Sequence, residues 1–231
     1  MMQPFNAVSR IEHAGLDGLI LYFSDNDIQA TSARVSNCHQ ALKAASPIWL
    51  REAIPSFDSL LVIFDPYAID DHGVYQFIHQ LPVRQDNVIA GKHHRIPVWY
   101  GAPEANDLED IARLTGLSKD GIINTHTATT YRVYAVGFAP GFAYLGDSAD
   151  SLNVPRRQSP RTAVPVGAVA LADKQSAVYP QRSPGGWQLL GLTPVAMFRP
   201  GAEQPALLNM GDTVSFYGID EDTFRQWDIQ A

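Results

Sequence analysis

The chain has 231 residues with 45% hydrophobic content, enough for the core of one large domain or two small ones. Lys plus Arg 17 against Asp plus Glu 24 gives a net charge of −7, which excludes a nucleic-acid scaffold held by phosphate neutralisation but leaves room for a local anion site. The lone Cys38 excludes an intramolecular disulfide, and no Cys/His grouping has zinc spacing, so neither a metal nor an organic cofactor is expected.

The opening residues lack a basic region followed by a long apolar stretch, and the apolar runs Leu19 to Phe23 and Leu60 to Phe64 are too short to span a bilayer. A cytoplasmic protein with no membrane association follows as an expectation. GLILYF, residues 18–23, has the length and composition of a buried strand, and Asp25-Asn26-Asp27 offers a helix cap after it. Ile28, Val35, Cys38, Leu42 and Ala45 fall on one helical face before Pro47. Ala53 to Pro55 and Leu60 to Phe64 read as a strand pair. Val74, Phe77, Ile78 and Leu81 mark a second helix that stops at Pro82. The order β-α-β-β-α describes a small α+β sandwich over residues 1–88.

The polar run Val83 to Arg95 is the expected boundary, and residues 89–231 form a second domain. Ile96 to Tyr100 is a strand. Asn106 and Glu109 have the spacing of a capping box ahead of a helix ended by Gly116, and Ser118 caps another. Tyr131 to Phe138 alternates like a half-buried strand. Short β-rich pieces follow at Ala163 to Leu171, Ala177 to Tyr179, Trp187 to Leu190, Pro194 to Phe198 and Thr213 to Tyr217, divided by Gly and Pro as in a closed sheet. The fold class is therefore α+β, with a small N-terminal domain followed by a mostly β barrel.

Three segments stand out: GFAPGFAYLG (137–146), PRRQSPRTAVPVG (155–167) and YPQRSPGGWQLLGLTP (179–194). Their glycines and prolines give up regular strand pairing, so they are either tight barrel corners or loops shaped around a ligand. Pro140, Gly141, Ser183, Pro184, Gly185 and Gly186 are the candidate loop contacts; Tyr144, Tyr179 and Trp187 are the candidate walls. Arg156, Arg157 and Arg161 sit within six positions broken by prolines and must crowd one loop. Their forked guanidiniums suit a carboxylate or phosphoryl group, or else pair with nearby acids. His126 is the candidate proton carrier, the alternative being a structural histidine. No G-x-S-x-G, phosphate-loop, G-x-G-x-x-G or H-E-x-x-H motif occurs, so a complete catalytic apparatus is not evident and a share in a composite site fits better.

In order, these segments resemble the GF-x-PGF-x-YLG, PRR-x-x-PR-x-x-VP-x-G and YP-x-x-SPGGW-x-L-x-G-x-TP stretches of the family that includes the B component of 5-oxoprolinase, allophanate hydrolase subunit 1 and Kip-type kinase inhibitors. The resemblance extends to His94 to Val98, Asp107-Leu108, Ile54-Pro55 and Ser59 to Val62. It departs where members commonly carry glycine and this chain has Ala102, Ala105, Asp173 and Ala177. The resemblance implies a cyclophilin-like barrel as the second domain, joined to a carboxyltransferase C and D layout. It implies partners: an allophanate hydrolase subunit 2-like protein, which is the C component of 5-oxoprolinase, and a lactam-opening A component. It implies ATP-dependent opening of 5-oxoproline to glutamate, with ATP bound by the assembled complex rather than by this chain alone. It also implies catalytic roles for His126 and Arg161 and substrate contacts from Arg156, Arg157 and the Gly185-Gly186 amides. Inhibition of a sensor histidine kinase, or a part in urea or allophanate breakdown, are the alternatives the same resemblance leaves open.

Overall fold

The computed structural model describes residues 8–82 and 91–227. The chain divides into two compact units, residues 1–90 and 91–231; the expected boundary at residues 88 and 89 lies outside the described residues. In the first unit, β1 (Val8–His13), β2 (Gly18–Phe23), β3 (Leu50–Pro55) and β4 (Ser59–Phe64) form an antiparallel sheet of order β1-β2-β4-β3. Alternate residues Leu19, Leu21 and Phe23 of β2, and Leu60, Val62 and Phe64 of β4, are buried, as period-2 side-chain alternation requires. Helix α1 (Ile28–Ala45) packs across β2, β3 and β4 and buries Val35, Cys38 and Leu42. Its cap is Asp27, whose carboxylate accepts from the Ala30 amide at 2.7 Å. Ile28 and Ala45, expected on the buried stripe, are exposed because they lie at the two ends of the helix. Helix α2 (Asp71–Gln80) buries Val74 and Ile78 and sets Phe77 edge-on to Trp49 at 5.2 Å.

β1 is a strand that the apolar pattern does not announce. It is an edge strand with only Val8 buried, and its charged residues Arg10 and Glu12 pair with each other, so it carries no apolar period.

The second unit is a closed barrel in the order β10-β7-β6-β13-β5-β12-β9, with β10 returning to β9. Its strands are β5 (His93–Tyr100), β6 (Thr130–Val136), β7 (Ala143–Gly146), β9 (Ala168–Ala172), β10 (Gln175–Val178), β12 (Gln188–Leu192) and β13 (Thr213–Gly218). Among the described strands every pairing is antiparallel except β13 with β5, where Thr213 to Gly218 run parallel to His93 to Val98. Closure removes the exposed edges an open sheet would present. A separate ribbon pairs β8 (Arg161–Val164) with β11 (Ser183–Gly185). Helices α3 (Leu108–Thr115) and α4 (Lys119–Ala128) lie between β5 and β6, and α5 (Glu221–Gln226) follows β13.

Several local expectations are corrected. Asn106 and Glu109 form no capping box: Asp107 is the cap residue but makes no side-chain cap bond, because its carboxylate turns to other partners, and Glu109 pairs with Lys119. The stretch expected as one strand from Ala163 to Leu171 is two, broken at Gly167. There φ is +78° and an added Cβ would lie 2.3 Å from the Thr193 carbonyl, so only glycine fits. Pro194 to Phe198 is irregular and joins a partner only through a bridge from Phe198 to Ala206. Ser183 to Gly185, expected to give up strand pairing, keeps it: Ser183 sits opposite Val164 and Gly185 opposite Arg161.

Candidate functional site

The three unusual segments meet at one pocket. From β6–β7 come Phe138, Phe142 and Tyr144; from the loop before β8, Arg156; from the region after β10, Tyr179, Pro184, Gly185, Gly186 and Trp187. The pocket encloses about 130 Å³ and is lined mainly by aromatic rings. Phe142 is its hub, edge-on to Phe138 at 5.2 Å, Tyr144 at 5.0 Å, Tyr179 at 5.3 Å and Trp187 at 6.0 Å. Edge-to-face packing of this kind fixes ring orientation as well as burying area. The turn that delivers these rings depends on Gly141, whose φ is +81° and whose Cβ would meet the Met197 carbonyl at 2.7 Å.

Phe138 is the unusual member. It is 66% exposed and has φ +74°, a left-handed conformation that is a genuine outlier for so bulky a residue. Strain of this kind, of order 1–3 kcal/mol, persists where surrounding structure enforces it and concentrates at ligand sites.

Two loops are tied together beneath the pocket. The Arg157 amide donates to the Gly186 carbonyl at 2.7 Å. Gly185 passes against the Tyr179 ring so closely that a Cβ would lie 2.4 Å from its hydroxyl oxygen, so glycine is required there for packing. Burial raises the Tyr179 phenol above its ordinary value, against the opposing pull of the Trp187 amide and the nearby Arg156 and Arg161 guanidiniums.

The three arginines do not act alike. Asp107, 6% exposed, draws in Arg161 by an ion pair and Arg157 at 3.4 Å, while its other oxygen accepts from the Leu189 amide at 2.7 Å. Arg157 also reaches Asp110 at 3.5 Å. Arg161 donates further to the Trp187 carbonyl at 3.3 Å. Of the three, Arg156 lines the pocket, with its guanidinium 5.7 Å from the centre of the Trp187 indole. Sequence spacing alone groups the three as one cluster and overlooks Asp107, for which the Asp-Leu pair shared with the family is the available signal.

His126 is not at the pocket. It is fully buried on α4 inside the barrel, with Nδ1 2.6 Å from the Tyr100 hydroxyl, Nε2 3.2 Å from Ser176 Oγ, and its ring stacked on Phe216 at 4.5 Å. Burial pushes its pKa down to about 3, so at neutral pH the ring is uncharged and satisfied by two hydroxyls. The residue expected as the proton carrier thus lies in the barrel core, away from the pocket. Pro140, exposed, and Gly141, buried, do not line the pocket, and Ser183 stands beside it in β11 with its hydroxyl oxygen buried. Phe138 and Phe142 line it and are not among the expected site residues, although both are fixed positions of the GF-x-PGF-x-YLG pattern, the signal that could have found them. Among the described residues no group of three or more His, Cys, Asp or Glu is placed to hold a metal, and no helix is long and apolar enough to cross a membrane.

A small α+β unit, together with a closed barrel bearing an aromatic pocket with one lining guanidinium, defines a two-unit α+β protein of the β-barrel type. The chain belongs to the carboxyltransferase domain, subdomain C and D family, which matches residues 9–208. It is 38% identical over 188 residues to the B component of 5-oxoprolinase from Bacillus subtilis, covering 76% of this chain and 78% of that protein. It is 41% identical over 157 residues to the B component of 5-oxoprolinase from Haemophilus influenzae, covering 68% and 74%. The crystal structure of TTHA0988 superposes with a TM-score of 0.80 at 35% identity over 89% of this chain, which spans 40% of that protein's length.

Proposed function

We propose that this chain is the B-type component of an ATP-dependent 5-oxoprolinase, acting with a C-type partner of the allophanate hydrolase subunit 2 kind and a lactam-opening A component. The observation that supports this most is its 38% and 41% identity, over most of both lengths, to proteins named as the B component of 5-oxoprolinase. The pocket fits a share in such a reaction. A lactam is a poorly electrophilic amide, so opening it needs an activating step coupled to nucleotide hydrolysis, after which water adds to the carbonyl carbon and the ring C–N bond breaks. This chain offers a small aromatic pocket with one guanidinium, suited to holding the acid, and the hydroxyls at it are those of Tyr144 and Tyr179, with Ser183 beside it. The chemistry that completes the reaction is assigned to the assembled complex.

The test is glutamate release and ATP hydrolysis dependent on 5-oxoproline, measured for this chain alone and reconstituted with both partner proteins. Activity confined to the full set is expected. Stable assembly without any activity on 5-oxoproline would overturn the proposal, and inhibition of a sensor histidine kinase would then be measured in its place.

A further inference from the structure

The charge available in the pocket is decided by Asp107. Three guanidiniums enter the 155–161 loop, but two of them, Arg157 and Arg161, converge on this one buried carboxylate and leave Arg156 as the charged residue of the lining among the described residues. Asp110, which also pairs with Arg113, reaches Arg157 at 3.5 Å. Around Arg156 stand the rings of Phe138, Phe142, Tyr144, Tyr179 and Trp187 in a space of about 130 Å³, below the ~300–1,000 Å³ of pockets that take drug-sized ligands.

We infer that this pocket binds the single carboxylate of a compact organic acid on Arg156, with the body of the acid among the aromatic rings, and that the nucleotide triphosphate binds outside it. The inference deepens the proposed function and rests on its reading of the pocket as the acid site. One guanidinium presents a planar fork that matches the two oxygens of one carboxylate. A triphosphate carries several charges and is held elsewhere in nature by a cradle of backbone amides, a lysine and a divalent cation. Here the second and third arginines are already engaged by Asp107, and Arg157 also by Asp110. Nor does Gly185 argue for a phosphate cradle, since its contact with the Tyr179 hydroxyl accounts for it. Size argues the same way for the body of the ligand, because an adenine, a ribose and three phosphates could not all be held within this half-open space of about 130 Å³.

Isothermal titration of the full chain, repeated with its partner proteins bound, tests this with four probes: 5-oxoproline, 2-pyrrolidinone, cyclopentanecarboxylate and a non-hydrolysable ATP analogue. The two acids should bind and 2-pyrrolidinone, which lacks the carboxylate, should not. Arg156→Gln should weaken both acids by roughly 10- to 100-fold, the range of a charge-assisted hydrogen-bonded pair. Arg156→Lys should restore part of that loss, and Arg199→Gln, on the exposed surface, should cause none. The ATP analogue should not compete with either acid.

Competition between the nucleotide and the acids, acid binding that ignores Arg156→Gln, or the absence of acid binding both alone and in the complex would each overturn the inference. Arg156-dependent binding of cyclopentanecarboxylate, in a complex inactive on 5-oxoproline, would uphold the inference while removing the proposed substrate.

Discussion

At Asp107 one carboxylate meets three separate chain segments. Its carboxylate joins the start of α3 to the loop of Arg157 and Arg161 and, through the Leu189 amide, to β12. Removing the negative charge leaves two partly buried guanidiniums facing a neutral amide. Asp107→Asn keeps the shape and one acceptor oxygen, so it should lower stability by about 2–3 kcal/mol, less than the ~3–5 kcal/mol of a fully buried pair because both guanidiniums keep some contact with solvent. Denaturant unfolding measures this. The same substitution frees Arg161 and Arg157 to respond to anions, so the variant's stability should rise with added phosphate more than the parent's does. An unchanged unfolding midpoint would show that the ion pairs contribute nothing to holding the loop. The arginine cluster itself is plain in the sequence, but which guanidinium faces the ligand is not, because that depends on an acid about 50 residues away and no local pattern encodes the meeting.

Among the elements, the legible ones are those whose apolar residues repeat locally: β2, α1, β4, α2 and β13 follow from runs or faces that need no distant partner. β7 and β11 are invisible for the opposite reason. Each is a short piece in a Gly- and Pro-rich stretch, and each is a strand only because β6 or β8 lies beside it. The departures from the family's glycines behave differently from one another. Ala102 and Ala177 are fully buried in one apolar cluster with Phe142, Tyr179 and Trp187, so their methyl groups are absorbed as core. Asp173, in the turn between β9 and β10, keeps φ at +53°, the conformation that glycine adopts without penalty. Aspartate tolerates this better than most residues but still carries a steric cost. Asp173→Gly should therefore raise stability by ~0.5–1 kcal/mol, the relief of strain being partly offset by the greater freedom of the unfolded chain. A urea midpoint that rises with an unchanged m-value would bear this out; a fall would mean that Asp173 holds its turn through its side chain.

The two units of the molecule should also respond differently to acid, because each holds a histidine below its ordinary pKa in its own setting, His126 fully buried and His39 half-buried. In the barrel, burial pushes His126 down to about 3 from an ordinary value of 6.5. In the first unit, His39 is also held below 6.5, first by burial and then by Lys43. The unfolded chain therefore binds protons that the native protein refuses, and stability falls as pH drops. For His126 the contribution is complete above about pH 6.5 and is lost progressively as pH descends toward about 3. The slope is at most ~1.4 kcal/mol per pH unit for one histidine. His126→Gln removes the titrating ring but leaves an amide within reach of the two hydroxyls, so it should lower stability at pH 7.5 by about 1–3 kcal/mol while flattening the decline toward pH 5. Because the chain has two compact units, one global unfolding curve would blur them. Hydrogen exchange read peptide by peptide separates them: in the variant, the pH dependence of protection should shrink in the barrel strands and persist in β2, β4 and α1. An unchanged slope in the barrel would mean that His126 is not what makes it sensitive to acid, and that another buried group carries the proton linkage.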